Sequence, residues 1–167
     1  MAQRSLAFAV VAAATVLGNA PSWAQTDSWA VYRDDRGTRI EYPRHIFSIP
    51  RGRGEQGVGH VFATPDGRAR IHMYSIPNAN ALSPAAFMRS HFPGDRSRLT
   101  YDRVARNFFA VSSRRGGMIA YLRCNFSRRA GGTLHCVDLR YPVAEKRAWD
   151  AVVTRISRSV RPLPSGS

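Results

Sequence analysis

Lysine is almost missing from this chain: Lys146 is the sole one among 25 basic residues, and the rest are arginine. Acid is thin as well, at 11 residues. Cysteine occurs twice, as Cys124 and Cys136, with eleven residues between them. That spacing excludes a Cys-x-x-Cys redox centre, and a cysteine-based metal site would need further ligands nearby. No apolar run approaches the ~20 residues of a membrane helix; the longest uncharged one, Leu6 to Leu17, has twelve. No Gly-x-Ser-x-Gly elbow is present, which removes the commonest esterase signature. The glycine-rich stretch Gly52 to Gly59 is not followed by the Lys-Ser/Thr of a phosphate loop. Asp34 and Asp35 are neighbours in a turn, so they do not supply two carboxylates at a catalytic separation.

What is present begins with an address. Arg4, the apolar run after it and the small residues around Trp23 make a secretory signal over residues 1–24, with cleavage expected after Ala24. A single domain is expected over 25–162, followed by a flexible tail over 163–167. Removing Arg4 with the signal leaves a formal charge of +13, with arginines scattered along the whole chain. Scatter argues against a nucleic-acid arm, which would be a block of charge. An exported basic protein meets phospholipid head groups, lipopolysaccharide phosphates, acidic polysaccharides or acidic proteins. The charge balance reads first as a solvated, Arg-rich surface; the other reading is recognition of an anionic envelope component or an acidic protein.

The pattern along the chain predicts an α+β fold: a twisted, largely antiparallel sheet of six or seven strands, a short central helix and a longer C-terminal helix packed on it. Phe108 to Ser113, Met118 to Phe126 and Thr133 to Tyr141 are separated by glycine-rich turns and read as consecutive hairpins. They place Cys124 and Cys136 nearly opposite each other, so a cross-strand disulfide is expected. Trp149, Val152, Val153, Ile156 and Val160 recur at helical spacing. Ser83 and Pro84 open the short helix as N-cap and first helical residue.

Thr64-Pro65-Asp66-Gly67 reads as a type I turn with a glycine bulge and a three-residue loop. That loop pairs His60 with His72 and Val61 with Ile71, and puts both histidines on one face. The two rings would then make half of a metal site or a proton-transfer pair, with no third ligand identifiable. This is the basis for a rival reading as a small exported hydrolase or metal-dependent enzyme. Asp66 is better explained by its turn, and Asp138 by pairing with an arginine. Arginines in glycine-rich turns are the candidate anion contacts: Arg51, Arg53, Arg114, Arg115, Arg128 and Arg129. No cofactor is implied.

The run Gly37-Thr-Arg-Ile40-Glu-Tyr42-Pro43-x-x-Ile46-Phe47 resembles the opening of the PsbP-like and DcrB-like domains, and Ile156-Ser-Arg-Ser159-Val160-Arg161 resembles their closing helix. The likeness extends to small exported bacterial proteins of unknown function. It implies an α/β/α sandwich around a twisted antiparallel sheet, usually without enzymatic activity, and it carries over no functional residue. The cysteine pair lies outside the matching pattern.

Overall fold

The computed structural model describes residues 28–91, 99–127 and 132–163. The expected signal over 1–24, the pair Arg128 and Arg129, and all but the first residue of the expected tail lie outside the described residues. The chain opens with strands β1 (Trp29–Arg33) and β2 (Thr38–Pro43), an antiparallel hairpin. Its turn is held by the Asp34 carboxylate, which accepts the N–H groups of Arg36 and Thr38 at 3.1 and 2.9 Å. There follow β3 (Ile49–Pro50), a single 3-10 turn over Glu55–Gly57, β4 (His60–Ala63), β5 (Arg70–Pro77) and helix α1 (Pro84–His91). The hydroxyl of Ser83 caps α1 by accepting the Ala86 N–H at 3.2 Å.

Strands β6 (Leu99–Val104), β7 (Phe108–Arg115), β8 (Met118–Phe126) and β9 (Thr133–Pro142) then run antiparallel. Arg115 pairs with Met118 across a two-residue turn in which Gly116 and Gly117 both have positive φ, 54° and 74°. Side-chain-bearing residues resist that conformation, which is why the turn is Gly-Gly. Helix α2 (Lys146–Ser159) follows a 3-10 turn, and β10 (Arg161–Pro162) closes the described chain.

The fold is α+β, and its strands form two sheets rather than one. Seven of them lie in the order β3-β4-β5-β9-β8-β7-β6, while β10 returns to β2 to complete a three-stranded sheet with β1. The small sheet and α2 pack together on one face of the large sheet. Strict alternation sends Ile71 and Met73 of β5, Ile119 of β8, and Val137, Leu139 and Tyr141 of β9 to that face. There they meet Ile40 and Tyr42 of β2 and Trp149, Val153 and Ile156 of α2. Each such side chain, fully buried, contributes about 1.5–3 kcal/mol. The other face is covered only in part: α1 lays Phe87 and Met88 over Phe109, Phe126 and Leu134. Cys124 and Cys136, directly paired across β8 and β9, form a disulfide with an S–S distance of 2.06 Å beneath α1. Among the described residues, no helix is long and apolar enough to cross a membrane.

The β4–β5 register differs by one residue from the sequence expectation. His60 pairs with Met73, Val61 with His72, Phe62 with Ile71 and Ala63 with Arg70. The type I turn forms, with the Gly67 N–H donating to the Thr64 carbonyl at 2.9 Å and Gly67 at φ 70°. The loop, however, has four residues rather than three. Thr64 N–H donates to the Ala69 carbonyl at 3.0 Å, and the Thr64 hydroxyl, whose own carbonyl is already engaged, accepts the Ala69 N–H at 3.1 Å. The Asp66 carboxylate accepts the Arg68 N–H at 3.0 Å and holds that extra residue in the loop. Because cross-strand partners share a face, an odd shift reverses the faces of one strand relative to the other. His60 and Phe62 therefore join Ile71 and Met73 on the α2 side, and His72 lies on the other face.

Candidate functional site

The part of the large sheet that α1 leaves uncovered is built from β5 and β9. These strands pair Arg70 with Arg140, His72 with Asp138 and Tyr74 with Cys136. Alternation points all six side chains to the α1 side, so two arginines, a histidine and a carboxylate meet in adjacent rows. They line a cavity of about 470 Å³ with Val61 of β4, Glu55 of the 3-10 turn and His91 at the end of α1. That size falls in the range of small-ligand pockets.

His72 is held firmly. Its Nε2–H donates to the Val58 carbonyl at 2.8 Å, and its ring stacks on Tyr74 with centroids 4.4 Å apart. The seat exists because residue 54 is glycine: a Cβ there would overlap Nε2 and Cε1 of His72 and stand 2.7 Å from the Val58 carbonyl oxygen. The tautomer is set by that carbonyl, which leaves Nδ1 with no hydrogen-bond partner among the described residues.

The electrostatics favour an anion. Burial raises the Asp138 pKa, and Arg140, Arg70 and His72 only partly offset it. Arg140 Nε stands 3.7 Å from Asp138 Oδ1, while Arg70 has no ion-pair partner among the described residues. Like charges directly opposite on neighbouring strands are destabilising. An anion between Arg70 and Arg140 would reverse that term, and guanidinium groups match carboxylate and phosphate oxygens in bidentate geometry. Burial also pushes the Tyr74 phenol well above its ordinary range.

The residues singled out in the sequence are dispersed. His60 is exposed on the opposite face from His72, edge-on to Tyr32 at 5.8 Å, so the two rings do not form a shared metal site. No group of three or more His, Cys, Asp or Glu side chains is placed to hold a metal among the described residues. Arg51 and Arg53 flank β4, and Arg53 Nη1 donates to the Gly57 carbonyl at 3.2 Å. Arg114 and Arg115 end β7, with β5, β9 and β8 lying between the two pairs. Arg70 and Arg140 were not singled out by the sequence. Alternation gives the side on which each points, but no local signal pairs two strands seventy positions apart.

No family model matches the sequence, and no curated protein matches it either. The structure does have a counterpart: the solution structure of cyanobacterial PsbP (CyanoP) from Synechocystis sp. PCC 6803 superposes with a TM-score of 0.59, covering 87% of this chain and 98% of that one. The fold is PsbP-like. Sequence identity over the match is 15%, so the likeness is one of fold. The opening and closing patterns of the sequence had pointed to the same fold.

Proposed function

We propose that this protein is a non-enzymatic accessory domain, exported to the bacterial envelope, that holds an anionic partner on the uncovered face of β5 and β9. The observation that carries this reading is the opposition of Arg70 and Arg140 in the lining of a cavity, with a single half-buried carboxylate, Asp138, in the next row. The signal-like opening and the disulfide fit an oxidising compartment. The overall arginine excess adds long-range attraction for the same class of partner. The rival enzyme reading rested on His60 standing beside His72, and the observed register separates them.

The test is binding of the chain from Gln25 onward to vesicles of anionic phospholipid at low and at high salt, alongside affinity capture from an envelope fraction under the same two conditions. Exposed charges are screened over ~10 Å at 0.1 M salt, so retention should fall steeply as salt rises. Arg70→Gln and Arg140→Gln should each weaken it. No retention at low salt, or retention unchanged in both variants, defeats the proposal. Export is checked by the intact mass of the secreted product, expected to begin at Gln25 without added lipid.

A further inference from the structure

The opposite face of the large sheet carries a second arginine cluster that the reading above does not use. Helix α2 packs against β9 and β2. Beyond its edge, side chains of β6, β7 and β8 line a groove of about 470 Å³. Alternation brings Tyr101 and Arg103 of β6, Phe108 of β7, and Tyr121 and Arg123 of β8 to this side.

Arg123 is the unusual member. It is half-buried, with Nε donating to Asn125 Oδ1 at 2.8 Å and Nη1 to Ser157 Oγ at 3.2 Å. Its guanidinium lies over the Phe108 ring, 4.0 Å from the centroid. Ser157 is itself fixed by the Tyr121 hydroxyl at 2.7 Å. The positioning is therefore complete, yet no carboxylate pairs with Arg123 among the described residues. A desolvated cation without a counter-charge is costly. Here burial is strong enough to lower the pKa of the guanidinium, and the charge of Arg103 lowers it further. Arg103 approaches the same ring, 5.6 Å from its centroid, so two cations stand against one aromatic ring. The carboxylate that reaches this groove, Asp150, is taken by Lys146 Nζ at 2.9 Å. Of the five N–H donors of Arg123, two are spent on Asn125 and Ser157 and the Tyr121 hydroxyl also hydrogen-bonds to the guanidinium, so every protein acceptor it meets here is a neutral oxygen.

The arrangement supplies a fixed fork for two oxygens beside exposed ring surface, with Tyr101 46% exposed at the rim. We propose that this groove binds a small carboxylic acid carried on a ring, the carboxylate meeting Arg123 and Arg103 and the ring lying against the tyrosines. The site is independent of the β5–β9 face and stands whether or not that face binds a partner.

The experiment is a titration of the isotope-labelled chain from Gln25 onward, followed by NMR at backbone amides and arginine Nε–H groups. Glucuronate, benzoate and acetate serve as probes. One ring acid should give saturable shifts at Tyr121, Arg123 and Ser157, and acetate should bind at least tenfold more weakly. Glucuronate or benzoate binding tells a sugar acid from an aromatic one. Arg123→Gln should lose at least tenfold in affinity. Arg103→Gln alters an exposed side chain with little risk to folding, and should lose several-fold. Arg89→Gln, on α1 at the opposite face, should leave the titration unchanged. The proposal is overturned if neither ring acid gives saturable shifts, if acetate binds as well as they do, or if Arg103→Gln titrates like the unsubstituted protein.

Discussion

Replacing Gly54 by alanine tests the seat of His72, and with it the shape of the β5–β9 face. Gly54 has φ −70°, which any residue adopts, so backbone strain plays no part. The added methyl would overlap the His72 ring and press on the Val58 carbonyl. Moving the ring away breaks the 2.8 Å bond from Nε2 to that carbonyl, a loss of about 0.5–1.5 kcal/mol. Accommodating the methyl against fixed backbone adds about 1–3 kcal/mol. Against this, alanine restricts the unfolded chain and returns about 0.4–1 kcal/mol. The net expectation is a destabilisation of about 2 kcal/mol, or a fall in Tm of roughly 6 °C for a domain of this size. The assay is thermal unfolding followed by circular dichroism, with urea titration as a second measure. His72→Ala removes the group that the methyl strikes, so the double variant should be more stable than the sum of the two single losses. A Gly54→Ala protein that melts at or above the parent, or a double variant with fully additive losses, would refute the reasoning.

Three further outcomes follow from the packing. Reducing the Cys124–Cys136 bond, which joins residues 12 apart, should cost about 3 kcal/mol and lower Tm by roughly 9 °C; thiols that react in the unreduced native protein would contradict it. Burial lowers the pKa of His135, which is 1% exposed and bonded to Thr38 at 2.8 Å and Ser127 at 3.0 Å. Its neutral form is thus favoured in the folded state. The stability it contributes is fully present above the unfolded value, about 6.5, and is lost as pH falls through the lowered folded value. Melting temperatures between neutral and mildly acidic pH should show this slope, and His135→Gln should flatten it. Ile156→Ala empties a fully buried position between α2 and the large sheet and should cost about 2–5 kcal/mol by urea unfolding; a loss below about 1 kcal/mol would place the core elsewhere.

Much of the architecture was legible because it is written locally. The stripe Trp149, Val153, Ile156 specifies the buried side of α2 without reference to anything else, and Gly116-Gly117 specifies a two-residue turn because few other residues accept two positive φ values in succession. The hairpin that joins β8 to β9 carried Cys124 to Cys136 for the same reason. The β4–β5 register was harder. Thr64 offers two acceptors: its carbonyl takes the Gly67 N–H while its hydroxyl takes the Ala69 N–H, so the hairpin closes on Ala69 instead of Arg68 and the loop gains one residue. That single choice separated His60 from His72 and removed the expected site.

By itself, then, the sequence determined the elements, the covalent staple and the sign of the surface charge, since each depends on residues within one turn, one hairpin or the composition as a whole. Only the tertiary structure decided that β10 would return to β2, that β5 would lie against β9, and that Arg70 would face Arg140. Those pairings join segments far apart in the chain. They are selected by the shared burial of Ile71, Met73, Val137 and Leu139 beneath α2 and the small sheet, and the chemistry on the reverse face is carried along by the two-residue period of the strands.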